Sequence, residues 1–305
     1  MTITPDIILD RIKLKNSIKK WRIIAILAIT LVLITVSFNN NVDSSSLKNY
    51  KEHIAKIKVE GIILEDPDKD AILNTIAEDP KIKALIVYIN SPGGTIVGGE
   101  NFYNSLRKIS KNKPVVAVMG SLAASGGYMT AIGADRIFAR EGTITGSVGV
   151  LLQSVNVTEL GKKIGLEFIT FKSGKLKATP SPFEKLIPEA EESIKESIAD
   201  SFNMFLDMVV KRRQLSAQVI NQIKDGRIFT GRQALKIGLI DAIGGEEEAV
   251  KWLQDEKGIN KKLKIINVEL DSNQKFIEKI LSKAINDNAP VATIKHGGIL
   301  ALWNP

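Results

Sequence analysis

Ile23 to Phe38 reads IIAILAITLVLITVSF, sixteen residues without a charge. As a helix rising about 1.5 Å per residue the run spans about 24 Å, a little less than a bilayer core. Trp21 and snorkelling lysines on the amino-terminal side relieve that shortfall. Leu, Ile and Val lie on every face, so the run lacks the polar side of a helix packed on a globular core. The pattern predicts one transmembrane helix over 23–38. Residues 39–51 then turn polar and carry Ser44, Ser45 and Ser46, as a tether would.

From Glu52 onward, segments rich in branched residues alternate with helical patterns, the signature of crossover units in an α/β fold. The alternation predicts strands at Ala55–Leu64, Ala84–Ile89, Val115–Met119, Arg136–Ala139 and Glu167–Phe171, and helices at Asp70–Glu78, Gly98–Ile109 and Gly126–Gly133. Ala84–Ile89 is almost continuously apolar, as befits a strand covered on both faces. Ile194, Ile198, Phe202, Phe205, Val209 and Val210 recur at helical spacing along a long helix from Glu189 to Arg213. Its other face carries Glu191, Lys195 and Asp207, a solvated or oligomer-facing side. The predicted organisation is a basic segment over 1–22, an anchor over 23–38, a linker over 39–51, a folded domain over 52–270 and a tail over 271–305.

Composition narrows the chemistry. The 305 residues contain no cysteine, which excludes disulfides, thiolate metal sites and a cysteine nucleophile. His53 and His296 are the two histidines, too far apart in sequence for a zinc motif at helical spacing. Acid–base chemistry must then rest on Lys, Asp, Glu, Ser or Tyr. No motif calls for a metal or an organic cofactor. The net charge of +8 alone would suit a nucleic-acid partner, but half of the excess precedes the first apolar run, where six basic residues face Asp6 and Asp10. That placement argues for no nucleic acid and, by the positive-inside rule, orients the amino terminus toward the cytoplasm and the folded domain outward. A cleaved signal peptide is the competing reading; the leader is long for one, and no small-residue pair closes the apolar run.

Three glycine-bearing turns follow predicted strands, where open parallel sheets bind ligands. Asn90-Ser91-Pro92-Gly93-Gly94 offers bare amides to a substrate carbonyl. Ser121 to Tyr128 presents Ser125 among small residues, with Gly126 and Gly127 opening a helix behind it. Thr145 to Val150 forms the third turn. Each alone reads equally as a plain turn or a tightly packed helix start. A serine nucleophile needs a base. Neither histidine stands where one is wanted, and a lysine must lose about 4 kcal/mol of its preference for the charged form to be largely neutral at pH 7, which demands burial. Lys172, Lys175 and Lys177 leave the predicted Glu167–Phe171 strand together, and composition does not choose among them.

These turns, with Lys172 to Pro182 and the later Asp225 to Ala234, resemble in order the short form of signal peptide peptidase A over roughly residues 54–245. The resemblance implies a crotonase-like/Clp-protease-like βαβ spiral core with an added long helix. It also implies a serine endopeptidase with a Ser-Lys dyad, held in the bacterial inner membrane by a single pass through residues 23–38, with its catalytic domain on the extracytoplasmic side. On the same ground Ser125 is the nucleophile and Lys177 its general base, Ser147 orients that lysine, and Gly94 and Gly126 supply the oxyanion hole. Peptides, including remnants of cleaved signal peptides, are the implied substrates, and a homo-oligomer with shared active sites is the implied assembly. A crotonase-type acyl-coenzyme A enzyme would want carboxylates in the Ser121 to Tyr128 turn, which has none. A His-Asp triad would want a histidine between His53 and His296, and there is none. A catalytically silent, membrane-anchored peptide-binding scaffold of the same fold is the alternative from another class.

Overall fold

The computed structural model describes residues 21–22, 51–270 and 300–302. The chain divides into two units, Met1–Tyr50 and Lys51–Pro305, and the second holds every strand among the described residues. The predicted anchor over 23–38 and the linker up to residue 50 lie outside the described residues. Among the described residues no helix is long and apolar enough to cross a membrane.

Three parallel strands carry the fold. β1 (His53–Ile63) pairs with β2 (Ile82–Thr95), and β2 pairs with β3 (Val115–Ala124). Ala84, Leu85, Ile86, Val87 and Ile89 are fully buried, which explains the near-continuous apolar run: both faces of β2 are covered, so alternation with polar residues has no place there. The crossovers are helical. α1 (Pro67–Glu78) starts at Asp66, whose side chain accepts from the Asp68 amide, with Pro67 in the first turn, where its missing N–H is harmless. α2 (Ile96–Ile109) starts at Thr95, whose hydroxyl accepts from the Gly98 amide, and buries Phe102, Leu106 and Ile109 against the sheet. Behind β3, the short helix α3 (Gly126–Ala131) is buried throughout.

The sheet forks at β3. Val116–Met119 pair with β4 (Arg136–Ala139), and Leu122–Ala124 pair with β5 (Ile144–Gly146). β5 pairs antiparallel with β6 (Ile228–Thr230), which leads into α7 (Gly231–Lys236) through a reciprocal cap between Thr230 and Gln233. Between β5 and β6 come α4 (Thr158–Lys163), α5 (Pro188–Arg213) and α6 (Ala217–Ile223). β7 (Ala242–Ile243) pairs with β4, α8 (Glu246–Asp255) packs Ala249, Trp252 and Leu253 on the sheet, and β8 (Lys264–Asn267) pairs parallel with β1. β9 (Leu300–Leu302) pairs antiparallel with the end of β2.

One predicted strand is absent. Glu167–Phe171 forms no strand with any of the described residues, and every residue in it is exposed. Its branched and aromatic residues suit a strand, yet the described residues give it no neighbouring edge. The predicted helix over Gly126–Gly133 ends at Ala131, and β3 runs five residues beyond the predicted Met119 to pair with β5.

Helix α5 is tied down at its carboxyl end. The guanidinium of Arg212 donates to the Ile132 and Ala134 carbonyls, while Arg213 donates to the Gly238 carbonyl and forks onto both oxygens of Asp241 at 3.1 and 2.9 Å. Asp241 also accepts from the Ile137 amide of β4. Phe205, Leu206 and Val209 are buried, whereas Ile194, Ile198 and Phe202, on the amino-terminal half of the same stripe, are only partly covered. Removing the fork would leave Asp241 half-satisfied at the edge of the core. Arg213→Ala is therefore expected to lower folding stability by about 2 kcal/mol, read as a reduced urea midpoint at unchanged slope; an unaltered midpoint would show that the fork contributes nothing.

Candidate active site

Ser125 stands at the junction of β3 and α3 with φ 53° and ψ −119°. A non-glycine residue there is strained by about 1–3 kcal/mol and persists only where its surroundings over-determine it. Two bonds do so: the Ser125 amide donates to the Gly146 carbonyl at 2.8 Å, and the Ser125 carbonyl accepts from the Met129 amide at 2.8 Å. The result is a sharp strand-to-helix elbow. The side chain is 1% exposed and its Oγ has no hydrogen-bond partner among the described residues. A buried hydroxyl left unpaired costs about 1–3 kcal/mol, so the arrangement is disfavoured by stability alone.

The elbow exists because glycines let backbones meet. A Cβ on Gly127 would lie 2.8 Å from the Ser91 carbonyl oxygen, and one on Gly94 would lie 1.7 Å from that of Ile63. Gly94 therefore admits no other residue without moving β1. Gly126 opens α3, at a position where a helix leaves its amide without an intrahelical acceptor. The turn after β2 is braced from within: the Ser91 hydroxyl donates to the Gly61 carbonyl at 2.6 Å and accepts from the Gly93 amide, while the Asn90 side chain accepts from the Leu122 amide. These bracing roles of Asn90 and Ser91 are not legible in the sequence, although both residues stand inside a turn that its glycines single out.

Ser147 lies beside Ser125. Ala124 pairs with Gly146, so the next residue of each strand is a serine, and both serines are left-handed, with φ 53° at Ser125 and 50° at Ser147. The Ser147 amide donates to the Arg227 carbonyl at 2.9 Å, and the residue is 8% exposed. Two Thr hydroxyls stitch the same ends together, Thr145 to the Ala123 carbonyl and Thr143 to the Gly120 carbonyl, each at 2.7 Å. Tyr128, buried in α3, donates to the Leu239 carbonyl, and burial pushes its pKa far up.

The three lysines are not brought onto Ser125 within this chain. Lys172 is ion-paired with Glu184, whose carboxyl it holds below the usual range through a hydrogen bond. Lys175 is highly exposed and faces Glu189 at 4.0 Å. Lys177 is exposed too; its amide donates to the Gly174 carbonyl, and its Nζ has neither hydrogen bond nor ion pair among the described residues. The structure thus joins Ser125, Ser147, Gly94 and Gly126 at one set of strand ends and leaves Lys177 beyond the segment that should have been a strand.

Comparison with known proteins places the chain in a family. The family model described as Peptidase family S49 matches residues 107–260, and that described as Clp protease matches residues 55–143. The chain is 39% identical over 224 residues to "Putative protease slr0021" of Synechocystis sp., covering 73% of this chain and 79% of that one. It is 34% identical over 218 residues to "Putative signal peptide peptidase SppA" of Enterococcus faecium, covering 67% of this chain and 63% of that one. Among solved structures it resembles the 1510-N membrane-bound stomatin-specific protease at 19% identity and a TM-score of 0.46, over 72% of this chain and 98% of that one. With a family model spanning half of its length and a relative covered over most of its own, the chain belongs to peptidase family S49 and is a protease of the signal peptide peptidase A type.

Proposed function

We propose that the protein is a serine endopeptidase in which Ser125 is the nucleophile and Lys177 of a neighbouring copy is the general base. The observation that carries this reading is the strained, buried and unpartnered hydroxyl of Ser125 at a helix start. A neutral lysine amine takes the hydroxyl proton as Oγ attacks a peptide carbonyl, and the proton then passes to the leaving amine. Amides of Gly94 and Gly126 meet the oxyanion, and the Ser147 hydroxyl holds the lysine. Water, activated by the same amine, releases the acyl group.

A neighbouring copy is invoked because one chain supplies no burial for the lysine. The stretch from Val155 to Leu186 exposes Val155, Leu160, Ile164, Ile169 and Phe171, the last at 94%, and the same stretch holds a hollow of about 510 Å³ lined in part by Leu166, Phe168 and Phe183. Apolar surface on that scale asks to be covered. A second copy docking there would shield the lysine and lower the cost of its neutral form. Anchoring through residues 23–38, with the folded domain on the extracytoplasmic side of a bacterial inner membrane, would bring apolar peptides such as signal peptide remnants to the site. A silent peptide-binding scaffold keeps the fold but gives no reason for an unpaired, strained serine.

Ser125→Ala is expected to lower peptide hydrolysis at least a thousandfold with assembly unchanged; hydrolysis at the parent rate would remove the nucleophile and favour the scaffold. Lys177→Ala should fall as far, whereas Lys175→Ala stays within about twofold. Sharing of sites is tested by mixing: inactive Ser125→Ala and inactive Lys177→Ala chains, refolded together, should regain activity if the dyad spans two copies and none if it lies within one.

A further inference from the structure

Lys172 belongs to the lysine cluster that the sequence singles out, and the proposed mechanism gives it no task. Its ammonium is ion-paired with Glu184, twelve residues further on, and the two side chains are only 15% and 27% exposed. The pair joins the two ends of a loop over 172–184 that carries Lys177 near its middle. The far end of the loop is also bonded to chain that follows the Ser147 turn: the Val157 amide donates to the Pro182 carbonyl at 2.8 Å, and the Asn156 side chain donates to the Glu184 carbonyl at 2.7 Å.

The tip of the loop is held as well. The Lys177 amide donates to the Gly174 carbonyl at 3.1 Å, and the Thr179 hydroxyl donates to the Leu176 carbonyl at 2.9 Å. Between them Ala178 is left-handed, with φ 58°. Among the described residues four non-glycine residues adopt such angles: Ser125, Ser147, Ala178 and Gln214. Gln214 caps the end of α5, an ordinary place for that conformation. The other three are the proposed nucleophile, the serine assigned to hold the lysine, and the residue that follows the proposed base. Left-handed backbone without glycine persists where its surroundings over-determine it, and here two hydrogen bonds flank it within the same turn.

We infer that Lys172, Glu184 and Thr179 are positioning residues that hold the 172–184 loop in shape to present the Lys177 amine, the ion pair clasping its base and the Thr179 hydroxyl fixing its tip. The inference rests on the reading of Lys177 as the base. It adds that the direction of the amine is set within its own chain, before any neighbour covers it. A preformed loop has less conformational freedom to lose on docking, and a misplacement of about 1 Å in a catalytic group costs on the order of a hundredfold in rate.

The test follows hydrolysis of a fluorogenic apolar peptide by the full chain. Lys172→Glu and Glu184→Lys are each expected to lower kcat about tenfold with KM within about twofold, and the double exchange, which restores an opposite-charge pair, should recover most of the loss. Thr179→Val should likewise lose about tenfold in kcat, whereas Thr179→Ser, which keeps the hydroxyl, stays near the parent. Assembly and the urea midpoint are expected to be unchanged throughout, because the loop lies outside the core. Amide hydrogen exchange in the Ser125→Ala background reads the loop without turnover: residues 173–181 should exchange faster in each single exchange and slow again in the double. Parent kcat in both single exchanges, no recovery in the double, a rise in KM alone, or loss of assembly alongside the fall in kcat would overturn the inference and leave Lys177 as the base. Parent-rate hydrolysis by Lys177→Ala would instead overturn the base assignment, and exchange would still show whether the clasp shapes the loop.

Discussion

The hydrogen bond from the Ser125 amide to the Gly146 carbonyl is the constraint on which the site depends. It forces a serine into left-handed backbone, and it does so at the point where β3 leaves β2 and joins β5. The strain is small beside the stability of a domain of this size, yet it decides where the hydroxyl points and what surrounds it. Relieving it would require Gly146 to move, and Gly146 is itself fixed by pairing with Ala124 on one side and with Ile228 on the other. The elbow is therefore locked by two strands rather than by its own sequence.

Close approach of backbones supplies the second half of the construction. Gly94 against Ile63 and Gly127 against Ser91 leave no room for a Cβ, so the ends of β1, β2 and β3 draw together and present amides instead of side chains. An arrangement of this kind stabilises developing negative charge because its dipoles are already oriented before any reaction begins. The buried Thr143 and Thr145 hydroxyls, tied to carbonyls of β3, take up groups that the fork in the sheet would otherwise leave unsatisfied.

What the sequence made legible followed from burial. Ala84–Ile89 announced itself because both faces are covered, Arg136–Ala139 had its observed bounds, and the glycine turns marked the strand ends where the fold does assemble its serines. The left-handed angles at Ser125 and Ser147 had no such signal, since serine is ordinarily right-handed or extended. β5 and β9 are three residues each and owe their existence to distant partners. Glu167–Phe171 failed for the opposite reason: its residues favour a strand, but strand formation is decided by an available edge, and none is offered among the described residues.

That failure bears on the chemistry. A segment with strand composition and exposed aromatic residues is a poor surface for a solitary protein and a suitable one for an interface. Ser125 stands on strands that need no help, whereas Lys177, the base in the proposed mechanism, sits on an exposed stretch of chain. If the missing cover is a second copy, burial of Phe171 and its neighbours and desolvation of the amine become a single event. On the proposed mechanism, a lone chain would carry a formed elbow without the means to activate it.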